Sequence, residues 1–80
     1  MKILIIEDDI DIRDILKSYL ESEGYVAEAT ADGERGLNLA KTALFDLIIL
    51  DLSLPRKSGL DICKELRSIE IHAPILIISV

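Results

Sequence analysis

ILIIEDD at residues 3–9 and LIILD at residues 47–51 decide the fold. Each is a run of four apolar residues, Ile3-Leu4-Ile5-Ile6 and Leu47-Ile48-Ile49-Leu50, that stops at an acid. Continuous β-branched and leucine runs of this length read as strands buried on both faces, as in a parallel sheet. If the two strands lie side by side, their carboxyl ends open on one edge. Glu7, Asp8 and Asp51 then converge on a single crevice, where open α/β sheets hold their ligands. Three close carboxylates repel one another unless a cation or a proton joins them, so the pattern points to a metal site.

The totals narrow what such a site can serve. Eighty residues make one small domain, and a hydrophobic content of 50% argues for a packed core rather than disorder. A net charge of −6 disfavours direct binding to nucleic acid or to an anionic membrane surface, and two Tyr, one Phe and no Trp leave no basic stripe with interleaved aromatics. The single cysteine, Cys63, excludes an internal disulfide and a cysteine metal cluster. Met1-Lys2 precedes only a short apolar run before Glu7, which is too short for a signal-peptide core or a membrane span. The expected location is cytoplasmic.

Outward from the two strands, the periodicity alternates. Ile12, Ile15, Leu16, Tyr19 and Leu20 recur on one helical face after the first strand (Lys2–Ile6), with Asp9 or Asp11 as N-cap and Gly24 as the stop. Tyr25–Ala29 reads as a second strand. Asp32-Gly33 opens a second helix, Glu34–Thr42, expected to bury Leu37, Ala40 and Leu44. Beyond the third strand, Leu47–Leu50, comes a polar loop, Leu52–Ser58. Ser58 and Asp61 have the spacing of a capping box for a third helix that buries Ile62, Cys63, Leu66 and Ile69. Pro74 ends any helix, and Ile75–Ile78 is a fourth apolar run. The order β-α-β-α-β-α-β, with short connections, predicts one α/β domain with right-handed crossovers.

KILIIEDD (2–9), DLIILDLSLPRKSGLDICKELR (46–67) and APILIIS (73–79) together resemble the receiver domain of bacterial response regulators. The likeness extends over the whole chain, and within the family it is nearest to receivers joined to winged-helix DNA-binding domains. It implies a flavodoxin-like three-layer α/β/α fold with a parallel sheet in the order 2-1-3-4, and phosphoryl transfer from a sensor histidine kinase with Mg²⁺. By motif, Asp51 matches the phospho-accepting aspartate, Asp8 the direct Mg²⁺ ligand, and Glu7 its partner acting through a water. Ser53 matches the position whose backbone carbonyl completes the metal site, and Ser79 the hydroxyl that bonds a phosphoryl oxygen. Oxygen ligands suit Mg²⁺, whereas zinc would want His or Cys. Val80 stands where the family usually has a small residue, and its bulk is expected to hinder access to the phosphoryl group. Pro55 and Gly59 fit the loop that turns into the third helix, with Leu54 packing beneath it.

The plainer readings matter too. His72, the sole histidine, is expected to be a solvated loop residue, Cys63 a packing residue, and the acids of the first and third helices a solvated face. A haloacid-dehalogenase-type phosphatase also forms an aspartyl phosphate after a strand, but that family wants a second Asp where Ser53 stands. The resemblance implies further elements that these 80 residues do not contain: a fourth helix, a fifth strand and a fifth helix, with a lysine that meets the phosphoryl group. Neither Lys57 nor Lys64 has the motif context to replace it. The expectation that follows is residues 1–80 as the N-terminal two-thirds of a receiver, with an apolar fourth-strand edge prone to self-association. A non-switching fragment or assembly module is the alternative to a working receiver.

Overall fold

In β1 (Lys2–Ile6) and β3 (Leu47–Asp51) successive side chains face opposite sides of the sheet, and both sides are covered. The computed structural model describes residues 1–79; the expectation for Val80 lies outside them. β1 pairs in parallel with β2 (Val26–Thr30) on one side and with β3 on the other, and β3 pairs with β4 (Ile75–Ile78). The strand order β2-β1-β3-β4 is the one the receiver resemblance implies, in a flavodoxin-like arrangement. The second strand lies one residue later than expected, and the third includes Asp51.

Helices α2 (Gly33–Thr42) and α3 (Gly59–Ser68) cover one face. Leu4, Ile6, Ile48 and Leu50 meet Leu37 and Ala40 of α2 and Ile62 and Leu66 of α3 in the larger core cluster, with Cys63 packed at its margin. Among the described residues, helix α1 (Ile10–Ser22) alone covers the other face, over Ile3, Ile5, Ala27 and Ile49. No helix among the described residues is long and apolar enough to cross a membrane.

The expected apolar face of α1 is only partly buried. Leu16 and Leu20 pack on the sheet, whereas Ile15 is 68% exposed and Tyr19 62%. Ile15 precedes Leu16 by one residue, about 100° around the helix, so a helix seated on Leu16 and Leu20 turns Ile15 outward. Leu44 is a second correction: it is 92% exposed, and Phe45 fills the core instead. Ala43 leaves helical geometry for extended backbone (φ −140°, ψ 155°), so the next two side chains point to opposite sides.

Ile69 is likewise exposed, and Ile71 takes the packing position. The chain reverses at Glu70 (φ 62°), where the Ile71 amide donates to Leu66 O at 2.9 Å and the Glu70 amide to Arg67 O at 3.1 Å. These are the two bonds of a Schellman closure, and they swing Ile71 back under the helix. Helix α1 ends the same way, with the Tyr25 amide donating to Leu20 O and the Gly24 amide to Glu21 O around Gly24 at φ 90°. At the helix starts, Asp9 accepts from the Asp11 and Ile12 amides, Asp32 from Glu34, and Ser58 from Asp61.

Candidate functional site

Ile6 lies opposite Leu50 in the β1–β3 register, so Glu7 and Asp51 come side by side at the carboxyl edge of the sheet. The alternation that turns Ile3 and Ile5 toward α1 turns Glu7 the same way, and Asp51 follows Ile49. The Glu7 amide prolongs the ladder by donating to Thr30 O at 3.0 Å, which holds this phase one residue past the strand. Glu7 is therefore 1% exposed and Asp51 is buried, while Asp8, on the next residue, is open to solvent. Carboxylate oxygens of the three lie within 4.8 Å of one another. They line an open depression of about 300 Å³ with Asp9, Ile12 and Ser53.

The charge in this depression is not balanced by side chains. Among the described residues the ion pairs are Arg56–Asp32, Lys57–Glu34 and Lys57–Glu65, none of which reaches Glu7, Asp8 or Asp51. Burial, reinforced by contact with the Asp51 carboxyl, pushes Glu7 up from 4.5 to about 7, against a smaller opposing effect of the Asp9 amide. A proton shared at Glu7 is one remedy for the repulsion. A hard divalent cation is the other, and an all-oxygen set of two buried carboxylates and one exposed fits such an ion. The Ser53 amide donates to Asp51 Oδ1 at 3.2 Å, which fixes the orientation of that carboxyl group.

The response regulator receiver domain profile matches residues 3–80. The chain belongs to this family. The cell cycle transcriptional regulator CtrA of Caulobacter vibrioides is 43% identical over 79 residues, which are 99% of this chain and 34% of that protein. The chain thus spans about a third of the length of that curated relative. The receiver domain of Francisella response regulator 1452 superposes with a TM-score of 0.94 at 32% identity, covering 98% of this chain and 64% of the other. TrrA of Thermotoga maritima, solved with Mg²⁺ and BeF, gives a TM-score of 0.91 at 35% identity, covering 98% and 68%. TrrA has also been solved in complex with the histidine kinase ThkA; that structure gives a TM-score of 0.89 at 35% identity, covering 98% and 67%.

Set in the receiver fold, the expected site residues divide into two groups. Glu7, Asp8, Asp51 and Ser53 line one depression. Ser79 does not line it. It follows Ile78, the β4 partner of Asp51, and so stands exposed on the same edge of the sheet. The Lys57 ammonium is engaged by the carboxylates of Glu65 and Glu34, which raise its pKa and tie the loop after β3 to α2 and α3. His72 is exposed at the opposite end of the sheet, beside a separate cavity lined by Ala43, Phe45 and Ile71.

One residue gains a role that the motifs did not suggest, and another a closer constraint than its loop position implied. Arg13 Nη1 bonds the main chain beneath Glu7 and Asp8, and Gly59 lies against the backbone of Asp51. An arginine one helical turn past an acidic strand end was the available signal for the first. For the second, only the glycine itself was legible, without the distance that makes it necessary.

Proposed function

We propose that this chain is the phospho-accepting portion of a two-component receiver, the N-terminal two-thirds of that domain, taking a phosphoryl group from a histidine kinase onto Asp51. The observation that carries the reading is the convergence of Glu7, Asp8 and Asp51, unbalanced by any cationic side chain among the described residues. Asp51 and Asp8, with the Ser53 carbonyl, would hold Mg²⁺, and Glu7 would reach it through a water. When bound, the ion offsets the repulsion between the attacking carboxylate and the phosphoryl oxygens.

The chain's own groups do the rest. The Ser53 amide holds one Asp51 oxygen, leaving the other as nucleophile. That oxygen bonds to phosphorus as the bond from phosphorus to the kinase imidazole nitrogen breaks, and the imidazole leaves with its electron pair. Ser79 stands outside the depression on the same sheet edge, and would have to approach the phosphoryl group for its hydroxyl to donate to one of the oxygens. The receiver would act as the acceptor in this transfer rather than as a turnover enzyme. The likeness to CtrA, a transcriptional regulator, supports a role in transcriptional regulation.

A titration with beryllium fluoride tests the proposal. Wild-type protein is expected to bind it only when Mg²⁺ is present, and Asp51→Asn not at all. Absence of binding by the wild type overturns the reading. One observation favours a second reading, a self-associating module that does not switch: Leu76 and Ile77 on β4 are 52% and 41% exposed, and among the described residues nothing pairs with the outer edge of that strand. On that reading the mass in sedimentation rises with concentration, and a constant monomer mass rules it out.

A further inference from the structure

The carbonyls of Glu7 and Asp8 lie in a gap in the main-chain bonding. The ladder ends with the Glu7 amide on Thr30 O, and the first bond of α1 runs from the Arg13 amide to Asp9 O at 2.9 Å. Between these points the chain must turn from strand to helix while presenting two of the three carboxylates of the depression. Arg13 spans the gap. Its Nη1 donates to Glu7 O at 3.0 Å and, more weakly, to Asp8 O at 3.4 Å. A long side chain in the second turn of a helix leans back toward the N-terminus, and the half-buried Arg13 follows that direction onto the turn.

We propose that Arg13 is a positioning residue for cation binding: its guanidinium braces the Glu7–Asp8 main chain and so holds the two carboxylates in place for a divalent ion. The inference rests on the metal reading of the depression. The chemistry of the contact favours a brace over a counter-ion. Arg13 makes no ion pair among the described residues, so its charge leaves the carboxylate oxygens available while its planar donors engage carbonyls. Groups that orient the ligands of a metal, without touching it, commonly change affinity by about 10- to 100-fold when removed. Both bonds come from the one nitrogen Nη1, whose two hydrogens the planar guanidinium holds in fixed directions; lysine keeps the charge but carries its nitrogen on a flexible stem that does not fix them.

Calorimetric titration with Mg²⁺ alone tests this on the wild type, Arg13→Met and Arg13→Lys, each below its own melting temperature. Arg13→Met is expected to weaken Mg²⁺ binding by about 10-fold, with Arg13→Lys between it and the wild type. Amide exchange of Asp9, whose amide donates to Glu7 Oε2 at 3.4 Å, is expected to accelerate in Arg13→Met when followed without metal. Wild-type affinity in a folded Arg13→Met overturns the inference, even if the variant melts earlier, because the arginine would then be merely structural. If Arg13→Met does not fold, Arg13→Lys decides: weaker binding supports the brace and unchanged binding overturns it. A wild type that fails to bind Mg²⁺ removes the metal reading itself, and the inference with it.

Discussion

Glu7→Gln is expected to stabilise the metal-free protein at pH 8 by up to about 3 kcal/mol and to lose that advantage when Mg²⁺ is added. The cause is the raised Glu7 carboxyl, about 7 in the folded chain against an ordinary 4.5. Below pH 4.5 the folded and unfolded chains both carry the proton, and the residue contributes no pH dependence. Between 4.5 and about 7 the folded chain holds more protons, so stability falls as pH rises; above 7 the loss is complete. A separation of this size corresponds to roughly 3 kcal/mol at about 1.4 kcal/mol per pH unit. Glutamine resembles the protonated acid and removes the slope.

Saturating Mg²⁺ acts in the opposite direction. An ion that binds only the folded state adds stability by mass action, about 2.7 kcal/mol at a hundredfold excess over Kd, and it replaces the proton as the remedy for repulsion. The wild type should gain from the ion, and Glu7→Gln, with one carboxylate fewer, should gain less. Urea unfolding at pH 5 and pH 8, in EDTA and in Mg²⁺, measures all of this. Equal pH slopes for the two proteins in EDTA would show that Glu7 does not carry the strain.

How much of this was legible in the sequence depends on how local the cause is. The converging acids could be read because alternation along a strand is local: once Ile3 and Ile5 face α1, Glu7 must follow, and the register of β1 with β3 brings Asp51 alongside. The errors arose where helical phase was extended past a helix end. Leu44 and Ile69 keep the spacing of buried residues, but Ala43 turns extended and Glu70 turns left-handed, so Phe45 and Ile71 enter the core instead. Ile15 and Tyr19 belong to a stripe wider than the strip of sheet that α1 covers. Ser79 could be placed at the correct edge of the sheet, but its distance from the depression depends on how far the chain has risen past Ile78, which no spacing rule fixes.

Gly59→Ala is expected to be strongly destabilising, costing about 3 kcal/mol or more. Gly59 is the first residue of α3, and its amide donates to Leu52 O at 3.0 Å. A Cβ there would collide with Asp51 O and meet the Leu52 Cα at 2.9 Å. Both obstacles are main chain. Neither can rotate away, so the relief must come from moving α3 off β3 or from displacing the backbone that carries Asp51. Gly33 offers the contrast: a Cβ there would meet Ile62 Cδ1 at 2.7 Å, the end of a side chain that can change rotamer. An alanine near the start of a helix also recovers part of the roughly 1 kcal/mol that glycine costs in helical backbone. Gly33→Ala should therefore be mild. A domain of this size has only about 4–12 kcal/mol to lose, so Gly59→Ala can deplete much of its stability. The displacement also falls on Asp51, the proposed phosphoryl acceptor, and the fraction of Gly59→Ala that folds should bind Mg²⁺ and beryllium fluoride more weakly than Gly33→Ala does. Urea midpoints for the two variants, followed by titration of the folded protein, separate the effects; Gly59→Ala with wild-type stability would mean that α3 can withdraw from the Asp51 backbone at little cost.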